Sequence, residues 1–170
     1  MNKTTSYENY PAWIVILSNL VSIGIYGLGL LIIYRLGLAF AILYLVYILL
    51  FELRLIGSHC TNCFYWGKVC GFGKGKISSW FFKKGDISKF CKNEFTWTDM
   101  IPDLLITMIP LIIGIILLIL KFNLLLLFAL LLLILLTTIG NGYVRGSLTC
   151  KHCKQKVLGC PADLLFTRKK

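Results

Sequence analysis

The sequence predicts an all-helical integral membrane protein with four transmembrane helices, built as two tandem helical hairpins that are each followed by a cytoplasmic C-x2-C-x6-C loop. Three observations support this fold class. Of the 170 residues, 58% are hydrophobic and only 15% are charged, compared with roughly 25% charged in an ordinary soluble domain. The apolar residues lie in two long stretches, and the same cysteine motif follows each stretch.

The first apolar stretch, residues 12–51, predicts the first hairpin. It contains one ionised side chain, Arg35. As a single helix it would be about twice as long as the roughly 30 Å of hydrocarbon in a bilayer, so the chain must turn back within it. We expect the turn near residues 34–37, with spans over residues 12–33 and 36–56. The apolar run is too long for a signal peptide, and no small-residue cleavage site follows it.

The second apolar stretch, residues 100–139, repeats this design. Lys121 and Asn123 interrupt it once, which predicts spans over residues 101–120 and 124–139. The predicted organisation is an N-terminal cytoplasmic segment, a first hairpin, a cytoplasmic cysteine loop, a second hairpin and a cytoplasmic cysteine tail, over residues 1–11, 12–56, 57–99, 100–140 and 141–170.

The basic residues are distributed unevenly about these spans. Two hairpins place both termini and the long middle loop on one side of the membrane. Of the 18 Lys and Arg residues, only Arg35 and Lys121 then lie on the other side. By the positive-inside rule the basic side is cytoplasmic. We therefore expect a multi-pass protein of the cell membrane with cytoplasmic N and C termini, whose net charge of +11 favours anionic lipid head groups as partners.

The cysteines reveal an internal repeat. Each hairpin is followed by a C-x2-C-x6-C motif, and the two copies are 90 residues apart. The cysteines of motif 1 (residues 60–70) and motif 2 (residues 150–160) are Cys60, Cys63, Cys70, Cys150, Cys153 and Cys160. The rest of the two halves matches weakly, and Cys91 has no counterpart, so its role is open.

Metal binding is the favoured interpretation of the two motifs. A C-x2-C turn lets two thiolates hold one ion while backbone N–H groups between them support the sulfurs. Two such turns give four ligands, enough for one tetrahedral zinc site beneath the bilayer. The expected ligands are Cys60, Cys63, Cys150 and Cys153, with Cys70 and Cys160 as the next candidates. Alternatively, each motif holds its own ion, with His59 or His152 as an additional ligand.

An iron-sulfur cluster is the main alternative cofactor. Motif 2 resembles the ferredoxin run C-x2-C-x2-C-x3-C-P at its three cysteines and at Pro161. The missing cysteine of that run is Lys156 in motif 2 and Trp66 in motif 1, so both copies depart from the pattern at the same position. Ligand softness and spacing therefore favour zinc.

Disulfides and thiol redox catalysis are less favoured. Cytoplasmic thiols are normally kept reduced, with hyperthermophiles as an exception. A thioredoxin-like role needs a βαβ pattern that places the C-x2-C pair at a helix N-terminus, and the sequence has no such pattern.

The loop between the hairpins contains interleaved aromatic and basic residues. Within residues 77–90, three aromatic residues, 80–82, are followed by two lysines, 83–84. This composition is typical of a segment that lies at the membrane surface with its rings at the headgroup boundary. We interpret the preceding glycine-rich run, residues 71–76, as a flexible turn whose lysines reach lipid phosphates, because it lacks P-loop spacing. The flanking spans favour lipid over nucleic acid, so no nucleic-acid partner is expected.

Three functions are compatible with these features. The favoured one is a zinc-stabilised membrane module that is structural or recruits a membrane or cytoplasmic protein partner, since an ion can replace a core that short loops cannot build. The second is a membrane-bound iron-sulfur electron-transfer subunit. The third is a metal-dependent enzyme acting on lipid head groups, which needs an open coordination position and a general base. The acidic and histidine residues form no recognisable catalytic constellation, so the sequence favours a non-catalytic function and leaves enzymatic activity open.

Overall fold

The described part of the chain is built from helices and short turns. The computed structural model describes residues 6–87, 90 and 97–160. The main α-helices are α1 (Ala12–Tyr34), α2 (Leu38–Leu55), α3 (Lys74–Phe81), α4 (Trp97–Leu120), α5 (Leu124–Leu135) and α6 (Lys154–Gly159). These residues contain no β-strand, and an isolated bridge pairs Tyr7 with Cys153.

Four helical segments of the described chain are long and apolar enough to cross a membrane, as the sequence predicts. They are Ala12–Tyr34, Leu38–Cys60, Ile101–Leu120 and Leu124–His152. The turn between the first two also lies where the sequence predicts it. Gly37 occupies this turn with φ of 139°, a conformation that residues with a side chain rarely adopt.

The second and fourth spans extend further than the sequence predicts. The second continues from α2 through a π-helical turn, Ile56–Cys60. The fourth continues from α5 to His152, through the π-helical segments Leu136–Gly140 and Val144–Thr149. Hydropathy marks where the apolar residues end, whereas a helix ends only where its backbone hydrogen bonds are interrupted. Each cysteine motif therefore begins at the end of a long helical segment.

The chain divides into two compact units. The first comprises Met1–Ser18, Leu53–Thr96 and Val144–Lys170, and the second comprises Asn19–Glu52 and Trp97–Tyr143. We call the first the cysteine unit, because both cysteine motifs lie in it, and the second the helical unit.

In the helical unit, α1 packs against the other long helices. One buried cluster joins Ile32 of α1 to Leu130 of α5, and a second joins Ile33 of α1 to residues of α2 and α4. The Tyr26 hydroxyl donates to Glu52 Oε1 at 2.6 Å, which links α1 to α2. Many other large apolar side chains of these helices are exposed. Such exposure suits helices that are surrounded by lipid.

Candidate functional site

A small buried cluster forms the core of the cysteine unit. Tyr10, Ile14 and Tyr65 are buried, and Cys63 and Cys153 are among the side chains packed against them. One cysteine from each motif therefore contacts the same cluster, although the two lie 90 residues apart in the sequence.

The segment that precedes α1 contacts both motifs. The Tyr10 N–H donates to Val69 O, within motif 1, at 3.0 Å. Its hydroxyl donates to Thr149 O, adjacent to motif 2, at 2.6 Å. The Tyr7 N–H donates to His152 O, within motif 2, at 3.0 Å. The N-terminal segment thus bridges the two motifs through two main-chain N–H groups and the Tyr10 hydroxyl.

Two hydrogen bonds join the motifs, one donated by each copy, and they involve equivalent positions of the repeat. The Phe64 N–H donates to Gln155 Oε1 at 2.8 Å, and the Lys154 N–H donates to the Tyr65 hydroxyl oxygen at 3.0 Å. Phe64 and Lys154 are equivalent positions of the repeat, and so are Tyr65 and Gln155. Both acceptor residues are only 2% exposed, so these bonds are shielded from water.

The two C-x2-C turns share the same backbone hydrogen bonds. The Cys63 N–H donates to Cys60 O at 3.4 Å, and the Cys153 N–H donates to Cys150 O at 3.3 Å. Three residues after the second cysteine, the next turn donates an N–H to that cysteine's carbonyl, at 3.0 Å in motif 1 and 3.2 Å in motif 2. The repeat that is visible in the cysteine spacing therefore extends to the backbone.

Backbone N–H groups point at the second cysteine of each turn. The Tyr65 N–H is hydrogen-bonded to the Cys63 thiol, and the equivalent Gln155 N–H is hydrogen-bonded to the Cys153 thiol. Such bonds favour the thiolate and act to lower the pKa of each thiol. Amide groups directed at sulfur in this way are typical of the surroundings of thiolate metal ligands.

Burial has the opposite effect on these thiols and dominates. Removal from water raises the pKa of Cys63 to about 12 and also raises the pKa of Cys153. Negative charge on neighbouring thiols adds to this rise in pKa. The neighbours that act on Cys63 are Cys70, Cys153 and Cys160, and those that act on Cys153 are Cys150 and Cys160. Thiols of both motifs are thus near enough to influence one another electrostatically.

The two histidines considered as ligands lie against aromatic rings. The ring centroid of His152 is 5.1 Å from that of Tyr7. The ring centroid of His59 is 6.5 Å from that of Phe90, with the two rings nearly perpendicular. Each histidine thus has an aromatic packing partner in the cysteine unit.

The six cysteines of the two motifs carry free thiols. In the part of the chain that the structure describes, no group of three or more His, Cys, Asp and Glu side chains is placed so that it could hold a metal ion. Cys91 lies outside the described residues.

Sequence reasoning missed Tyr65 and Gln155. Neither residue type is a usual metal ligand. The two copies also have different residues at this position, so comparing the two motifs for identical residues does not reveal it. The available signal was the repeat itself, because 65 and 155 are equivalent positions between the second and third cysteines of each motif.

No protein-family model matches the chain, and neither the curated proteins nor the solved structures give a match to it.

Proposed function

We propose that the protein is a multi-pass protein of the cell membrane whose two cysteine motifs bind one zinc ion at the cytoplasmic face. The ion stabilises the cysteine unit, which acts as a structural or partner-recruiting module and not as an enzyme. The observation that carries this proposal is the symmetric exchange of hydrogen bonds between the motifs, from Phe64 to Gln155 and from Lys154 to Tyr65. This exchange brings together two C-x2-C turns that are far apart in the sequence.

The surroundings of Cys63 and Cys153 support a role as ligands. Each thiol has a backbone N–H directed at it, and each is otherwise held neutral by burial. A divalent cation would reverse that preference, because it stabilises the thiolate far more strongly than burial opposes it. The free energy of binding would then add to the stability of the cysteine unit.

One C-x2-C pair from each motif supplies the proposed ligands. They are Cys60, Cys63, Cys150 and Cys153. Cys160 is the first alternative, because it acts electrostatically on both Cys63 and Cys153. The proposal requires the four sulfurs to converge to tetrahedral geometry when the ion binds.

The arrangement of the first two spans supports a common side for the motifs. Tyr26 of α1 bonds to Glu52 of α2, whereas Ile33, later in α1, packs with Tyr44, earlier in α2. In an antiparallel hairpin, residues later in the first helix contact residues earlier in the second. Two such hairpins would return the chain to the same side of the membrane before each motif, and the basic residues make that side cytoplasmic.

Elemental analysis, combined with visible absorbance, tests the proposal. The full chain is purified anaerobically in detergent beside a Cys150→Ser/Cys153→Ser variant and a Cys91→Ser control. We expect one zinc per chain and no visible absorbance in the wild type and the control, and loss of the zinc in the double variant with its far-ultraviolet helical signal retained. Equal metal content in all three proteins would overturn the proposed site. Bound iron with visible absorbance would instead support the electron-transfer alternative.

A further inference from the structure

The short helix α3 has one face buried in the cysteine unit and the opposite face exposed. Gly75 and Ser78 are buried. Ile77, Trp80 and Phe81 are exposed, with Trp80 71% and Phe81 74% accessible. Positions 77, 80 and 81 have the i, i+3, i+4 spacing of a single helical face. The exposed face of α3 is therefore apolar and largely aromatic.

Contacts fix α3 to the end of the second span. The Ser78 hydroxyl donates to Ile56 O at 3.2 Å, and Ile56 lies within the span Leu38–Cys60. Gly57 lies directly against the Phe82 ring, since a Cβ at this position would be 3.3 Å from the ring. Helix α3 therefore packs its buried face beside the last turns of a helix that is apolar enough to cross the membrane, and its apolar face remains exposed.

An open pocket of about 370 Å³ adjoins this face. It is lined by the C-terminal residues of α3 together with Trp66, Lys83 and Lys84. The Trp66 Nε1–H donates to Phe82 O at 3.3 Å, which holds the indole ring at the pocket. Both lysines are exposed, so their ammonium groups are accessible to a ligand.

The charges around the pocket favour an anionic ligand. Lys74 and Lys76 lie in the first turn of α3, and Lys83 and Lys84 follow its end. Residues 71–85 contain no acidic residue. Phosphate groups of anionic lipids are the negative charges nearest to a segment held at a membrane boundary.

We propose that α3 and this pocket form a docking site for anionic phospholipid of the bilayer that the chain crosses. The rings of Trp80 and Phe81 enter the headgroup boundary, and Lys83 and Lys84 bind the phosphate of one lipid. The site is distinct from the proposed metal centre, because it uses none of the cysteines. It would hold the cysteine unit flat against the membrane.

Lipid binding by matched charge variants tests this proposal. Native mass spectrometry of the full chain in a neutral detergent measures the binding of phosphatidylglycerol and of phosphatidylcholine. The test variant is Lys83→Gln/Lys84→Gln. The control, Arg35→Gln/Lys121→Gln, removes the same charge from the predicted opposite side of the membrane. The zinc content of both variants is expected to equal that of the wild type.

We expect phosphatidylglycerol to bind the test variant about 25-fold more weakly, because each of the two lysines near an anionic surface contributes about fivefold. The control should bind as the wild type does, and inorganic phosphate should not displace the lipid. Equal binding of phosphatidylglycerol to both variants, equal binding of the two lipids, or displacement by inorganic phosphate would overturn the proposal.

Tryptophan fluorescence tests the insertion of the aromatic face independently. Brominated phosphatidylglycerol quenches only indole rings that reach the bilayer. The difference in quenching between the wild type and Trp80→Phe measures the contribution of Trp80. We expect clear quenching of the Trp80 fluorescence in liposomes with brominated lipid. An unquenched contribution would show that the α3 face is covered by something other than lipid and would overturn the proposal.

Discussion

Tyr65 and Gln155 determine how the two cysteine motifs fit together. Each accepts a main-chain N–H from the opposite copy, so the register of one motif against the other is set by a side chain and not by the cysteines. The Tyr65 hydroxyl also donates to Tyr7 O at 2.6 Å, which joins the N-terminal segment to the same network. A buried N–H that loses its partner costs about 1–3 kcal/mol, so each of these bonds matters to the stability of the cysteine unit.

Replacing Gln155 with leucine tests this role. The change removes the partner of the Phe64 N–H at a partly buried position, so we expect a loss of about 1 kcal/mol in the free energy of unfolding. Thermal unfolding followed by tryptophan fluorescence measures the change. Lys151→Gln, at an exposed position nearby, serves as the control and should unfold as the wild type does. Unfolding of Gln155→Leu at the wild-type temperature would show that the hydrogen bond from Phe64 to Gln155 contributes nothing to stability.

Buried thiols give the metal-free protein a specific pH dependence. An unfolded cysteine ionises near pH 8.5, roughly its unperturbed pKa, whereas burial raises the pKa of Cys63 to about 12 in the folded chain. Burial favours the neutral thiol, so this contribution to stability is fully present below the unfolded pKa. It is lost as the pH rises through that value towards the folded pKa.

We therefore expect the metal-free protein to unfold more easily at about pH 10 than at about pH 7.5. Thermal unfolding at both pH values measures the difference. A Cys63→Ala variant lacks the ionisable group and should lose part of the pH dependence. The same dependence in the variant and the wild type would contradict a buried, neutral Cys63.

At the scale of single elements, α3 shows that a glycine-rich run can form part of a helix and pack closely against its neighbours. The sequence suggests a flexible turn over residues 71–76, but α3 begins within that run, at Lys74. Gly75 is buried, and a Cβ there would collide with the carbonyl oxygens of Tyr65 and Lys68. Its N–H donates to Cys70 Sγ at 3.4 Å. The close approach of α3 to motif 1 therefore depends on the absence of a side chain at this position.

The substitution Gly75→Ala should destabilise the cysteine unit. The methyl group meets main-chain oxygens that cannot rotate away, so we expect a loss of about 1–3 kcal/mol. Gly142→Ala is the matched control, because a Cβ at Gly142 meets nothing within 4 Å and alanine is the better helix former. Chemical or thermal unfolding of both variants measures the difference. Equal stability of the two variants would contradict the tight packing of α3.

The long helices could be predicted because their apolar runs greatly exceed those of soluble proteins. The extensions of the second and fourth helices, residues 57–60 and 140–152, could not be predicted, because these residues are not uniformly apolar and hydropathy gives no signal for helix there. The contacts between the motifs could not be predicted from the sequence either. They depend on pairs such as Phe64 and Gln155, whose types give no indication of pairing. The role of the cysteines as metal ligands remains a prediction.

At the scale of the whole molecule, the topology is the feature most open to a direct test. The structure describes four helices that are apolar enough to span a membrane. If they form the two proposed hairpins, the positive-inside rule predicts that Lys121 lies outside and the native cysteines lie in the cytoplasm. A membrane-impermeant maleimide applied to intact cells should label a Lys121→Cys variant and leave the wild type unlabelled. Labelling of the wild type under the same conditions would contradict the assigned orientation, and permeabilised cells provide the control for thiol reactivity.

Zinc-edge X-ray absorption of the Cys91→Ser variant tests the shared ion most directly. Each motif holds three cysteines, so within one chain a zinc ion with four sulfur neighbours must draw on both motifs. We expect one zinc per chain with four sulfurs at about 2.3 Å. Three or fewer sulfurs completed by nitrogen or oxygen, or two ions per chain, would contradict a single four-thiolate site shared between the repeats.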